Sequence, residues 1–143
     1  MENVHIVAYH ENSFNIMPEA NDETLRNKEV SVGITPVLRY KEGTDAMGCQ
    51  LRVEYSVDGN ILMEYSAVLT LIMEGWAEFL KNETDDNEKI SATREAWRMV
   101  LDFARGAICT NAVNRGNSLV ARMMLPPVNI DNFMQNVAIK KAE

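Results

Sequence analysis

Residues 47–73 read MGCQLRVEYSVDGNILMEYSAVLTLIM, and this stretch decides the fold of the chain. From Met47 to Val57, apolar and polar side chains alternate, which is typical of an antiparallel strand with one buried and one solvated face. The Asp58-Gly59 pair that follows is a turn signal between two such runs. The stretch therefore predicts a β-hairpin in an antiparallel sheet that buries one face.

The register of the hairpin follows from the position of its apolar residues. A two-residue loop would place Val53 opposite Glu64 and bring a carboxylate to the buried face. A three-residue loop, Asp58-Gly59-Asn60, pairs Val53 with Tyr65 instead and keeps that face apolar. A slip of one residue turns every side chain to the other face, so we expect the three-residue loop. One of its last two residues then needs a positive φ.

The strand after the turn runs to Met73, and its second half, from Val68 to Ile72, is apolar on both faces. A strand covered on both faces needs a second layer of structure. A short chain with few helices does not supply that layer by itself, so we expect a partner subunit to cover one face.

Two more strands precede the hairpin. The first is expected from Val4 to Tyr9 and again from Phe14 to Ile16, and the second from Val30 to Ile34. Pro36 interrupts the second strand, because proline cannot donate to a ladder and favours a bulge or an edge. The polar residues from Pro18 to Thr24 predict a crossing loop between the two strands.

The second half of the chain has helical periodicity. Ser91 is the expected N-cap of a long helix that ends near Asn114, with Gly116 as its stop. One apolar stripe of this helix consists of Ile90, Trp97, Val100, Leu101, Ala104 and Ile108, and an opposite stripe consists of Ala96, Met99, Phe103, Gly106, Thr110 and Val113. We expect the first stripe to cover the sheet and the second to meet another helix. The alternative is that the second stripe, weakened by Gly106 and Thr110, faces water.

The last part of the chain predicts a bend and a short helix. Pro126-Pro127 imposes an extended conformation, and Asn129 is the expected N-cap of a helix with Ile130, Phe133, Met134 and Val137 on one face. Strands followed by helices make the fold class α+β, with an antiparallel sheet. The 143 residues, 46% of them hydrophobic, are enough for one domain, residues 1–143, with a sizeable core.

Composition limits the compartment and the partners. The net charge of −7 disfavours duplex nucleic acid, which needs a basic face. The N-terminus lacks the basic and apolar regions of a secretory signal, and no apolar run approaches the ~20 residues of a membrane span. We therefore expect a soluble, cytoplasmic protein, in which Cys49 and Cys109 are buried thiols rather than a disulfide.

The residue pattern does not predict an enzyme. His5 and His10 are the only histidines and have no nearby cysteine cluster, so we expect no metal site. The seven glycines are scattered and form no phosphate-binding loop, and a Gly-x-Ser-x-Gly motif is absent from the sequence. We expect neither catalysis nor a cofactor.

Nine methionines are an unusual feature of the composition. Methionine is flexible and polarizable, so a surface rich in it adapts to many apolar partners. Met63, Met73 and Met99 are expected in the core. For Met123 and Met134, beside the short terminal helix, the core and a binding surface are equal alternatives.

Two stretches resemble the SecB family of bacterial protein-export chaperones. They are FARGAICTNAVNRG at residues 103–116 and LPPVNIDNFMQN at residues 125–136. The family carries an aromatic-Ala-Arg opening, a Ser-Arg-Gly helix end and a Leu-x-Pro-Val-Asn-Phe-Asp segment before its last helix. A weaker, colinear similarity covers residues 28–34 and 51–53.

The resemblance implies a four-stranded antiparallel sheet packed against one long helix, a short C-terminal helix, and a homotetramer built as a dimer of dimers. It also implies an ATP-independent holdase that binds unfolded preproteins before export. Its peptide-binding groove would lie between the second strand, the crossing loop and the terminal helix. By position, the groove residues are Leu25, Val30, Val32, Ile34, Met123, Leu125, Ile130, Phe133, Met134 and Val137. Packing in the subunit core is the alternative for each of them.

The sequence departs from the family in ways that bear on its partners. It ends Ile139-Lys-Lys-Ala-Glu143 instead of in the acidic tail that helps the family dock on the SecA motor, so a contact with SecA stays open. Gly106 stands where the family usually has an acidic residue. SecB-like proteins also act as dedicated chaperones of antitoxins, and that role is one alternative. A small-ligand-binding domain is the other.

Overall fold

The computed structural model describes residues 3–82, 84–123, 125 and 127–142. In chain order, the elements are β1 (Val4–Ile16), β2 (Ser31–Tyr40), β3 (Ala46–Val57), β4 (Asn60–Met73), α1 (Trp76–Leu80), α2 (Asp86–Ala92), α3 (Arg94–Asn114), α4 (Ser118–Arg122), α5 (Ile130–Met134) and β5 (Ala138–Lys141). They form one five-stranded sheet with the order β1-β4-β3-β2-β5 and a layer of helices. The expected α+β class is confirmed.

The expectation of a four-stranded, wholly antiparallel sheet is wrong. β5 adds a fifth strand and runs parallel to β2, pairing Val37–Tyr40 with Ala138–Lys141. The Ala142 N–H donates to the Tyr40 carbonyl at 2.7 Å, which fixes the end of the strand. Ile139 is the one large apolar residue of β5 and packs on the core. A strand of four residues with a single large apolar side chain shows no alternation in the sequence, so it was not predicted.

The hairpin has the two-residue turn of one alternative and, beyond Tyr55, the strand register of the other. Its turn has two residues, because Val57 pairs with Asn60 and both Asp58 and Gly59 have positive φ, at 53° and 82°. Such a turn would bring the wrong face of β4 inward. A bulge at Leu62 corrects this, since Tyr55 pairs with Met63 while Ser56 pairs with Ile61. The expected pair Val53–Tyr65 is confirmed, and the expected three-residue loop is wrong.

The first two strands are longer than the sequence suggested. β1 is continuous through the expected break, with irregular pairing to β4 after Ile6 and after Glu11, and these bulges disguise its period. β2 continues through Pro36, which is buried opposite Leu51. β5 covers only the later part of β2, so among the described residues the part before Pro36 is an open edge of the sheet.

The helical half starts earlier than expected and is broken once. Asp85 caps α2 by accepting the Glu88 N–H at 2.8 Å, and Ser91 lies inside α2 rather than at an N-cap. The break lies at Thr93, a fully buried residue whose hydroxyl donates to the Ile90 carbonyl at 2.7 Å. Gly116 ends the long helix α3 as expected, with a φ of 72°.

The core lies between one face of the sheet and α3. From the first predicted stripe, five residues are buried there: Trp97, Val100, Leu101, Ala104 and Ile108. From the second stripe, Ala96 is also buried, contrary to its assignment, whereas Phe103, Gly106, Thr110 and Val113 are exposed.

Cys49 is buried and Cys109 half-buried, and both are free thiols. On the other face of β4, Val68, Thr70 and Ile72 are half-buried, so the predicted partner subunit stays a prediction.

The crossing segment, residues 17–30, is fastened to α4. Asn117 caps α4 by accepting the Val120 N–H at 2.9 Å, and its amide group donates to the Ala20 carbonyl at 3.0 Å. Arg122 pairs with Asp22 at 3.1 Å. One asparagine therefore holds both the start of a helix and the loop that lies beside it.

The predicted N-cap of the short C-terminal helix is confirmed. Asn129 accepts the Asn132 N–H at 3.1 Å and begins α5, as predicted. The helix ends at Met134, so Val137 lies beyond it. The predicted Pro126-Pro127 bend includes Pro126, which lies outside the described residues.

We expect Asn117→Ala to destabilise the chain more than Asn129→Ala. Loss of a helix cap costs about 1 kcal/mol, and the lost bond to Ala20 adds about 1 kcal/mol at position 117 alone. Urea denaturation of the two variants and the unmodified chain measures the difference. Equal losses would mean that the bond to Ala20 contributes nothing.

Candidate functional site

An apolar hollow lies between the crossing segment, the first half of β2 and α4. Its volume is about 400 Å³. It is lined by Leu25, Lys28, Val30, Val32, Tyr55, Leu119 and Met123. Six of these seven side chains present carbon or sulfur surface, so the hollow suits an apolar group.

Sheet pairing and local turns position this lining. Val32 on β2 lies directly opposite Tyr55 on β3, so both side chains point to the same face of the sheet. Leu25 is held by a helical-type turn, in which its N–H donates to the Asn21 carbonyl at 3.1 Å. Leu119 lies in the first turn of α4.

The structure brings some predicted groove residues together and separates others. Leu25, Val30, Val32 and Met123 line the apolar hollow. Leu125, Phe133 and Val137 are buried in the core instead, and the Phe133 ring lies 5.4 Å from that of Trp97. Half-buried Ile34, Ile130 and Met134 pack on the core outside the hollow. The peptide-binding role of all of them stays a prediction.

Sequence reasoning missed Lys28, Tyr55 and Leu119 as lining residues. The alternation of β3 predicts only that Tyr55 lies on the buried face of the hairpin. Its pairing with Val32, a predicted groove residue, is the signal that places it beside the hollow. Lys28 lies at the rim, where its ammonium group pairs with Asp58 at 2.9 Å. Leu119 carries no signal, since α4 is only five residues long.

Tyr55 is the unusual residue of the site. Only 1% of its surface is exposed, and its hydroxyl has no hydrogen-bond partner within the described part of the chain. Burial raises the pKa of Tyr55 to about 12, and the positive charge of Arg105 partly opposes this shift. The hydroxyl therefore keeps its proton at neutral pH and is available as a donor.

Two further hollows adjoin the first one at Leu25. One, of about 570 Å³, reaches the hairpin turn past Met17 and Ile61. The other, of about 720 Å³, follows Asp22, Glu23 and Leu119. Because Leu25 lines all three, the hollows adjoin one another around this side chain, and we call them together the depression.

A separate hollow of about 580 Å³ lies over the exposed stripe of α3, beside β1. The Tyr9 and Phe103 rings meet there at 4.7 Å, and both are partly exposed, as is Val113 farther along the helix. We call this stripe, from Phe103 to Val113, the outer face of α3. A Cβ added at Gly106 would meet no atom within 4 Å, so this face is open.

No group of three or more histidine, cysteine, aspartate or glutamate residues in the described part of the chain is placed to hold a metal ion. None of the described helices has the length and apolar character that crossing a membrane requires.

Comparison of the sequence with protein-family models and with curated proteins finds no match. Among solved structures, the chain is similar to a SecB-like chaperone of Mycobacterium tuberculosis in complex with a ChAD peptide from the HigA1 antitoxin. The match has a TM-score of 0.50 and 10% identity, and covers 87% of this chain and 83% of that one. The fold is SecB-like. The resemblance inferred from the sequence is confirmed at the level of the fold.

We expect Leu25→Glu to weaken the binding of the apolar dye bis-ANS about tenfold, because a carboxylate in an apolar hollow must lose water without gaining a partner. Fluorescence titration measures the affinity, and Gln135→Glu, which adds the same charge at an exposed position outside the hollow, is the matched control. Equal affinities of Leu25→Glu and the unmodified chain would show that the dye does not bind in the hollow.

Proposed function

We propose that this chain is a SecB-like chaperone, without catalytic activity or nucleotide, that binds a dedicated polypeptide partner such as an antitoxin. The observation that carries the proposal is the apolar hollow around Leu25, in a fold whose solved neighbour holds an antitoxin peptide. The hollow adjoins two others at Leu25, and this continuity supports a polypeptide segment with several side chains as the occupant.

The energetics favour a partner with several anchors. One large apolar side chain contributes about 1.5–3 kcal/mol when it leaves water. Association and ordering of a flexible segment cost several kcal/mol, so a single anchor binds weakly. The hollow and its neighbour at the hairpin turn both have apolar lining residues and so accept more than one apolar side chain of a segment. A partner with matching spacing is then preferred over an arbitrary chain.

Charge favours a basic partner. The chain carries a net charge of −7, and a long-range field of this sign attracts positively charged segments. Near the hollows, Asp22 is paired with Arg122 and Asp58 with Lys28, so the rim itself is closer to neutral.

The second candidate function is a general export holdase for unfolded preproteins. It is favoured by the methionines beside the depression, Met17 and Met123, because a flexible lining accepts many apolar sequences. A contact with the SecA motor would belong to this role alone.

We expect little protection of a generic client and strong protection of one specific partner. Denatured rhodanese should aggregate almost as fast with an equimolar amount of the chain as without it, as measured by light scattering.

We also expect a toxin and antitoxin pair beside the gene of this chain, and co-expression should raise the soluble antitoxin severalfold. Leu25→Glu is the control that should abolish the gain.

Full suppression of rhodanese aggregation at equimolar amounts would favour the export holdase instead. No effect on rhodanese at several-fold excess, together with no gain of soluble antitoxin, would contradict both functions.

We further propose that the chain assembles as a homotetramer, a dimer of dimers, in which the outer face of α3 meets another copy. The exposed Phe103 and Val113 side chains and the open edge of β1 support this proposal, because exposed apolar groups and unpaired strand edges favour association. A mass near four times 16.2 kDa is expected from light scattering.

We expect Gly106→Gln to reduce that mass without lowering the thermal stability of the dissociated subunit. Glutamine favours a helix more than glycine does and meets open space within one chain, whereas it would obstruct a close contact between copies. Arg98→Gln, at an exposed position elsewhere on α3, is the matched control. An unchanged mass of the Gly106 variant would exclude a close contact at this position.

A further inference from the structure

The Tyr55 side chain combines two properties that rarely occur together in a folded protein. It is 99% buried, since its exposed fraction is 1%, and its hydroxyl has no partner among the described residues. Buried polar groups are almost always hydrogen-bonded, because an unpaired one has lost water and gained nothing. The remaining buried polar atoms without a partner belong to Trp76, Thr84 and Trp97, and none of these residues lines the apolar hollow.

Tyr65 is a buried tyrosine of the same sheet whose hydroxyl has a partner. Tyr65 lies on the same face of the sheet and is fully buried. Its hydroxyl lies 2.9 Å from the hydroxyl of Tyr9, and the two share a hydrogen bond. A buried phenol of this sheet can therefore be paired within the chain, whereas the phenol of Tyr55, which lines the hollow, has no partner among the described residues.

The hollow offers few alternatives for a polar contact. Of the side chains that line it, only Lys28 and Tyr55 carry polar atoms, and Lys28 is paired with Asp58 at 2.9 Å. The phenol extends from β3 towards the helices, where the charge of Arg105 on α3 acts on it. Tyr55 shares the lining of the hollow with Leu119 and Met123 from the helical half of the chain.

An extended polypeptide brings the complementary group. When one of its apolar side chains enters the hollow, the adjacent main-chain carbonyls lose part of their water and need a donor. We propose that the Tyr55 hydroxyl donates a hydrogen bond to a main-chain carbonyl of the bound segment. Such a contact requires no particular side chain, and it orients the segment across the hollow. This inference rests on the proposed polypeptide-binding function.

The test compares Tyr55→Phe with Tyr65→Phe. The probe is reduced, carboxamidomethylated bovine pancreatic trypsin inhibitor, a basic chain that stays unfolded, labelled with fluorescein and titrated by fluorescence polarisation. Tyr55→Phe should weaken its binding about five- to tenfold, because one hydrogen bond is lost. Tyr65→Phe should bind like the unmodified chain, since Tyr65 does not line the hollow.

Thermal stability of the free protein gives a second readout with opposite signs. Tyr55→Phe should raise the melting temperature, because an unpaired buried hydroxyl is removed. Tyr65→Phe should lower it, because Tyr9 loses its partner. A merely structural Tyr55 would lower the melting temperature on substitution and leave binding unchanged.

The outcomes separate the two proposals. If the unmodified chain does not bind the unfolded probe, the polypeptide-binding function fails and this inference fails with it. If the unmodified chain binds and Tyr55→Phe binds equally well, only the role of Tyr55 is overturned. A lower melting temperature for Tyr55→Phe would likewise overturn it, since the hydroxyl would then be bonded within the free protein.

Discussion

The bulge at Leu62 is the constraint on which the rest of the structure depends. The tight turn at Asp58 and Gly59 imposes one register on the hairpin, and the buried face requires the other. One extra residue in β4 reconciles them and leaves both Leu62 and Met63 buried. With that shift, Met63 pairs with Tyr55 and the apolar residues of β4 share a buried face with those of β3. Tyr55, which also lies opposite Val32 on β2, connects this face to the hollow.

The crossing segment forms one wall of the hollow beside this buried face. It spans from β1 to β2 and leaves Leu25 half-buried where three hollows meet. Asn117 and Arg122 fasten it to α4, so the wall of the depression is held by polar bonds rather than by apolar contacts alone. Apolar surface can then stay partly open to a partner without loosening the segment that carries it.

Local patterns predicted much of the fold and part of the site. Strict alternation placed β3 and β4, and side-chain chemistry placed the cap at Asn129 and the stop at Gly116. Bulges concealed the continuity of β1, and the four residues of β5 are too few to display a period. The break at Thr93 was missed because helical periodicity continues across it. Leu25, Val32 and Met123 reach the hollow as the family resemblance suggested, whereas the unpaired hydroxyl of Tyr55 depends on neighbours that only the fold reveals.

Pro36 and β5 limit how much of β2 is open to pairing with a strand from another chain. Outer strands with free amide groups serve as templates on which foreign strands stack and grow. Here β5 covers Val37–Tyr40 and itself carries Lys140 and Lys141, while Pro36 offers no amide proton. Among the described residues, Ser31–Thr35 is the part of β2 that β5 leaves unpaired, which is a short length for an incoming strand.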